Sequence, residues 1–173
     1  MDRANRRVDC LRDEASWGQP HRLTIIGTGP EEKALHERIR SLGVRDRVAF
    51  APFLPRQELW QRLHGFDAFV FTTSGSEAFG LVAIEAQAHG LPVAHSNIAG
   101  VAEPLGHVGT PFTAGDLASL AFGLDQLAGD VYWRKALIRA GLDNARRHDI
   151  THTAGQLADL TTKVASAPGT ASG

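Results

Sequence analysis

Short apolar blocks and longer amphipathic stretches take turns along the 173-residue chain. The blocks "RLTIIG" (Arg22 to Gly27), "VAF" (Val48 to Phe50), "DAFVFTT" (Asp67 to Thr73) and "PVAHSN" (Pro92 to Asn97) are rich in β-branched and aromatic residues and bounded by turn formers, which predicts buried strands. Between them the apolar positions recur at helical spacing. Leu35, Ile39 and Leu42 form one stripe, in a helix that Pro30 opens, Glu31 and Glu32 favour at its positive end and Gly43 stops. Pro55 to Gly65 predicts a short helix, and Phe79 to His89 another, closed by Gly90 and Pro92. Ile98 to Phe112 reads as turn-rich. Asp116 to Ala128 is amphipathic with Leu117, Leu120, Leu124 and Leu127 inward, and two further helices are expected over Val131–Arg147 and Thr153–Ala165. Met1 to Pro20 carries Val8, Leu11 and Ala15 at helical spacing, and residues 166–173 read as a disordered tail of small residues.

Strands alternating with helices predict an α/β domain over residues 1–165, with a Rossmann-like parallel sheet covered on both faces. In such sheets ligands bind at the C-terminal ends of the strands, near the point where the strand order reverses. Two Gly-rich loops, "GTGP" and "TTSGSEAFG", each follow a predicted strand and precede a predicted helix, so both are expected on that rim. A hydrophobic share of 43% supports one globular core. A net charge of −1 supplies no general field for nucleic acid or an anionic membrane. No apolar run reaches transmembrane length, the N-terminus lacks a signal-peptide core, and the single cysteine, Cys10, forms no internal disulfide. A cytoplasmic location is the expectation.

The stretch "TTSGSEAFGLVAIEAQAHGLPVA" (Thr72 to Ala94) holds the candidate chemistry. A helix starting near Phe79 or Gly80 directs its first N–H groups and its positive dipole end at the rim. Gly80 lets a phosphate approach the backbone closely. Glu77 precedes that anion site and Glu85 lies about two turns into the helix, where carboxylates can accept hydrogen bonds from the hydroxyls of an activated sugar and its ribose. On spacing alone the plainer reading leads: Glu77 caps a helix and Glu85 is a solvated or paired helix residue.

The surrounding residues resemble the Glu-x7-Glu signature of GT-B glycosyltransferases, family four in particular. Ser74, Glu77, Phe79, Gly80, Leu81, Glu85, Ala86, Ala88, Gly90, Pro92 and Val93 match its typical form. "LTIIGTGPEEKALHERIRSLGVRDRVAFAPFLPRQELWQRL", "AGVAEPL" and "GTPFTAGDLASLAFGLDQLAGD" are similar to the flanking stretches, in the same order, so the likeness spans about Arg22 to Val164. The resemblance implies the donor-binding half of a GT-B fold and transfer of a sugar from a nucleotide-sugar, of the UDP or GDP kind, with retention of configuration. It implies that Glu77, the catalytic candidate, contacts the donor sugar and Glu85 the ribose. Backbone amides around Gly80, Leu81 and Val82, beside Phe79, would hold the diphosphate, and Gly27 and Gly29 would line the same cleft. No metal or other cofactor is expected, since no D-x-D occurs. Base selection would fall on the loop around Ala51 to Leu54.

Some residues depart from that pattern. Ala78 and Ala99 stand where the family carries Gly, and no Lys precedes Lys33, although the family places an Arg and a Lys after the first strand to neutralise the leaving diphosphate. The first strand itself is missing. The doubly wound order 3-2-1-4-5-6 puts it between the Arg22 and Asp67 strands. Either "VDCL" (Val8 to Leu11) serves as that strand, or another chain supplies it, or the sheet closes up. The acceptor-binding domain is not present either, so the expected partners are a separate acceptor-domain chain or a second copy, with an inactive module or a truncated fragment as alternatives. His148 and His152 stand four apart without a third metal ligand in register, and Trp60 and Trp133 read as core or interface. His95 reads as a partly buried histidine after its strand.

Overall fold

The computed structural model describes residues 21–73, Gly75, residues 79–149 and Asp159. Several expectations fall outside these residues. They concern the Met1–Pro20 helix and its Val8–Leu11 alternative, Cys10, Ser74, Glu77, Ala78, His152, the Thr153–Ala165 helix apart from the helical Asp159, and the tail.

The described chain runs β1 (Leu23–Ile26), α1 (Glu32–Leu42), β2 (Val48–Ala51), α2 (Arg56–Leu63), β3 (Phe69–Phe71), α3 (Leu81–Ala88), β4 (Val93–Ser96), α4 (Ala99–Leu105), β5 (Thr110–Phe112), α5 (Leu117–Gly129) and α6 (Val131–Arg147). All strand pairing is parallel, as the alternation of elements predicts. The sheet is nevertheless in two pieces. β1 pairs with β2, and β3, β4 and β5 pair in that order. Among the described residues β1 and β3 are not paired with each other, so the sheet has not closed up by joining those two strands.

Local chemistry accounts for the helix limits. Gly43 ends α1 in the left-handed conformation, φ 71°, donating to the Arg40 carbonyl at 3.2 Å while Val44 donates to that of Ile39 at 3.3 Å. Asp116 caps α5 through the N–H groups of Ala118 and Ser119, and Asp130 caps α6 through that of Trp133 at 2.8 Å. Leu120 and Leu127 are buried on α5, with Leu124 packed beside them.

The Ile98–Phe112 stretch corrects the turn-rich reading: it contains α4 and β5. Gly100, Pro104, Gly106 and Gly109 mask both elements in the sequence, but Val101 and Leu105 are buried against Val93, Ala83 and Ala86. Burial of that kind outweighs propensity in a short helix. Pro111 is tolerated in β5 because, among the described residues, that strand pairs on one side only.

Three apolar clusters follow the divided sheet. Leu35, Ile39 and Val44 pack over β1 and β2. The larger lobe has one cluster on each face of β4: Leu63, Ala83, Ile84, Val93, Val101 and Leu105 on one side, and Ala94, Phe112, Leu120, Leu127 and Leu137 on the other. α3 and α6 lie close because Gly141 leaves room; a Cβ there would stand 3.1 Å from Cγ of Gln87. Asn144 of α6 donates to Gln87 Oε1 and to the Pro104 carbonyl, both at 2.9 Å, and Gln87 Nε2 donates to the Val108 carbonyl at 3.1 Å. Gln87 and Asn144 are both buried, and this network satisfies their amides.

Candidate functional site

The turn between β3 and α3 ends on Gly80, whose φ of 63° and ψ of 37° lie in the left-handed region. This is a conformation that glycine adopts without penalty and most residues do not. Gly80 is buried; a Cβ there would make ordinary contacts of 3.5 Å with Phe71 and 3.7 Å with Val101. The helix proper therefore begins at Leu81, a residue or two later than expected, and Ala83 N–H bonds back to the Gly80 carbonyl at 2.9 Å. Helix geometry leaves the N–H groups of Leu81 and Val82 without an intrahelical acceptor and collects positive potential there.

Glu85 stands one turn after Leu81 rather than two turns into the helix. Side chains on a helix lean toward its N-terminus, so this carboxylate is directed back toward the rim. It is held there: Arg56, at the first position of α2, donates through its guanidinium to Glu85 Oε1. The Arg56 guanidinium also stacks over the Trp60 ring, 4.8 Å from its centroid. Trp60 contacts His89 at a centroid distance of 5.5 Å, and His89 Nδ1–H donates to the Glu85 backbone carbonyl at 2.8 Å. Glu85 thus sits in a frame built from both α2 and α3. Neither Arg56 nor Trp60 was singled out for the site by the sequence pattern. Their i, i+4 spacing on α2 was the available signal for the stack, and no local pattern links Arg56 to a carboxylate on another helix.

Phe79 is exposed and its ring meets that of His148 edge-on at 5.5 Å. His148 closes α6 and donates through Nδ1 to the Asn144 carbonyl at 3.0 Å. Gly27 directly follows β1 with φ 126° and donates to the Ala51 carbonyl at 3.0 Å. Gly29 is exposed, and its carbonyl accepts from Glu32 at 3.2 Å. A Cβ at either would meet nothing within 4 Å, so conformation rather than crowding is what Gly27 supplies. The structure therefore brings Glu85 to Arg56 and seats Gly80 on Phe71 and Val101, while Gly27 and Gly29 belong to the other sheet.

Two sequence expectations are corrected. His95 lies within β4, not after it, and is buried to 1% exposure. Burial pushes its pKa below the ordinary 6.5, against a smaller opposing effect from the Ser96 carbonyl, to which Nδ1–H donates at 3.2 Å. Of the two alternatives for Trp133, core or interface, the core one does not hold: Trp133 is 42% exposed, beside the exposed Val131 and Tyr132 at the start of α6.

Residues 13–141 match the glycosyl transferases group 1 family. The chain belongs to that family. It is 35% identical over 144 residues to the D-inositol 3-phosphate glycosyltransferase of Stackebrandtia nassauensis, covering 79% of this chain and 32% of that protein. It is 33% identical over 143 residues to the phosphatidyl-myo-inositol mannosyltransferase of Mycobacterium leprae, covering 78% of this chain and 36% of the relative. The chain thus spans about a third of the length of these curated relatives. Among solved structures, HepE of Anabaena in complex with UDP and glucose superposes with a TM-score of 0.79 at 24% identity, over 90% of this chain and 43% of that one. Sucrose-phosphate synthase of Thermosynechococcus elongatus superposes with a TM-score of 0.77 at 23% identity, over 96% and 43%. The fold is that of a partial GT-B domain, parallel strands flanked by helices. No helix among the described residues is long and apolar enough to cross a membrane.

Proposed function

We propose that the chain is the donor-binding half of a glycosyltransferase that transfers a sugar from a nucleotide-sugar to an acceptor, with retention. The observation that carries this reading is the Glu85 carboxylate, held by Arg56 one turn inside a helix that starts at a left-handed glycine. Its Oε1 is taken by Arg56, and a carboxylate has further lone pairs for the ribose hydroxyls. The amides of Gly80, Leu81 and Val82 receive the diphosphate, Glu77 takes the donor-sugar hydroxyls, and Gly27 and Gly29 line the opposite wall. When the bond between the anomeric carbon and the phosphate oxygen breaks, the electron pair leaves with the diphosphate, and oriented amides at a helix start stabilise it without a metal or other cofactor. UDP or GDP is the carrier, and the UDP complex of HepE supports the first. The loop after β2, where Phe53 is 76% exposed, selects the base. The single cysteine is in keeping with a cytoplasmic setting.

A second reading is favoured by the divided sheet and by the share of the relatives that the chain spans. In it the chain binds donor but transfers nothing until a separate acceptor-domain chain, or a second copy, completes the cleft; an inactive fragment would bind nothing. Calorimetric titration of the chain with UDP, GDP and their sugars, alongside Glu85→Ala, tests both. Saturable binding of one nucleotide that the substitution weakens supports the donor site. Absence of binding to all of them removes it.

A further inference from the structure

An open cavity of about 310 Å³ lies between α1 and β2, lined by His36, Ile39, Arg40, Arg45, Val48 and Phe50. Its lining follows from local geometry. His36, Ile39 and Arg40 stand at i, i+3 and i+4 on α1 and share one face, while Val48 and Phe50, two apart on β2, point to the same side of the sheet. Ile39 belongs to the small core over β1 and β2, and Val48 and Phe50 pack against that core, so the fold itself holds the floor. Arg45 opens the 3-10 turn Arg45–Arg47 that leads into β2. The cavity therefore sits toward the start of β2, whereas the rim proposed for the donor lies where the strands end. Val48 and Ala51, at the two ends of β2, are about 10 Å apart along the strand.

The arginines of this stretch divide into two kinds. Arg38 and Arg47 each have an interaction of their own. Arg40 and Arg45, the two that border the cavity, are exposed, and among the described residues neither guanidinium has a partner. The acid nearest His36, Glu32, stands 4.0 Å from its Nε2 and lies two turns before Arg40, about 12 Å along α1. The His36 ring meets that of Phe50 at a centroid distance of 4.1 Å, tilted by 34°, and its side chain is still 50% exposed. One face of the imidazole is thus seated on the floor while half the side chain stays accessible.

We propose that this cavity binds a small phosphate monoester carried on a planar ring. The ring extends the stack of Phe50 and His36 and covers the apolar floor of Ile39 and Val48. The phosphate meets Arg40 and Arg45, whose planar guanidiniums match its oxygens in pairs. A dianion neutralises both cations, whereas a single carboxylate would leave one of them uncompensated. The volume stands at the lower end of the range for small-molecule sites, which suits a ligand of one ring and one phosphate. This inference uses none of the residues of the donor reading, so either can fail without the other.

Titration of the full chain with phenyl phosphate, followed by calorimetry and by NMR of the His36 and Phe50 rings, tests it. Saturable binding of a single equivalent that shifts both rings is the expected result, weakened about tenfold or more when Arg40→Gln and Arg45→Gln are combined. Both side chains are exposed, so the urea midpoint of that double variant should stay close to the parent's, and lost binding is then not lost folding. Inorganic phosphate should bind about fivefold more weakly or worse, because it forgoes the stack. Adenosine monophosphate, run in parallel, separates a nucleotide source of this chemistry from a compact aryl phosphate; the tighter of the two at His36 names the source, and either supports the site. Equal binding of inorganic phosphate and phenyl phosphate would reduce the arginines to counter-ion contacts and overturn the proposal. Binding that Glu85→Ala weakens, with the His36 ring unshifted, would place the ligand at the donor rim and overturn it too. So would a double variant that binds as the parent does, or an absence of saturation.

Discussion

Arg56 of α2 donates to the Glu85 carboxylate of α3 across twenty-nine positions of sequence, and the same guanidinium lies over the face of Trp60. Arg56 is two-thirds exposed and Glu85 one-quarter, so water screens much of the attraction. A pair of that exposure contributes at most about 1 kcal/mol to stability. Its local effect is geometric, because it fixes one carboxylate oxygen and offsets a negative charge beside the proposed diphosphate.

Substitution at the two ends of that pair should therefore separate folding from binding. Arg56→Ala is expected to shift the urea midpoint little, consistent with a loss below about 1 kcal/mol. The same change should weaken the nucleotide that binds by roughly three- to tenfold, because Glu85 is left unneutralised and free to rotate. Arg56→Lys should recover part of the affinity, since a point charge replaces the neutralisation but not the planar stack on Trp60. Denaturation curves and calorimetry on the same preparations check both. A large loss of stability with unchanged affinity would give Arg56 a purely structural role.

Gly80 provides a second, independent test of the helix start. The space around it admits a methyl group, so the cost of Gly80→Ala is conformational, on the order of 1–2 kcal/mol for a left-handed alanine. Asparagine visits that region more readily, so Gly80→Asn should be less destabilising despite its larger side chain. Urea midpoints in the order Gly80, Asn, Ala are the expected outcome. If Ala and Asn fall together, crowding against Phe71 and Val101 rather than φ governs the position.

The hydrophobic pattern made most of this fold legible, because nine of the described elements carry their own period or their own caps. β1, α1 and α6 lie where the sequence puts them, and Gly43, Asp116 and Asp130 mark the ends that their chemistry predicts. α4 and β5 were not legible. Their Gly and Pro residues encode turns locally, and only the packing of Val101, Leu105 and Phe112 against distant residues decides otherwise. The gap between β1 and β3 could be read from strand order, but not which of its three outcomes the chain adopts. At the site, the sequence supplied Gly80 and Glu85 and missed Arg56, whose partner lies on another helix.

His95 makes stability depend on pH. Its pKa in the folded chain lies below 6.5 because burial disfavours the imidazolium. The unfolded chain therefore binds more protons as pH falls below about 6.5, and unfolding becomes easier until pH passes the lowered folded value, where the loss levels off. Stability from this group is fully present above the unfolded pKa. Urea midpoints measured from pH 7.5 down to 5 should fall for the native chain and fall less for His95→Gln. Parallel curves for the two would show that other groups govern acid sensitivity.

The same imidazole explains why a glycine stands at position 109. A Cβ on Gly109 would lie 2.6 Å from His95 Cδ2 and 2.9 Å from Nε2, with the Val93 carbonyl at 3.2 Å. The ring is fully buried within β4 and cannot swing into solvent, so the backbone of the turn before β5 must move instead. Overpacking of this kind costs about 1–3 kcal/mol. Gly109→Ala should be destabilising by that amount in the native chain and by clearly less in a His95→Ala background, where the ring atoms are gone and only the Val93 carbonyl still crowds the methyl group. A double-mutant cycle on urea midpoints reads the coupling directly. Additive losses would place the strain at the carbonyl and leave the histidine without a part in it.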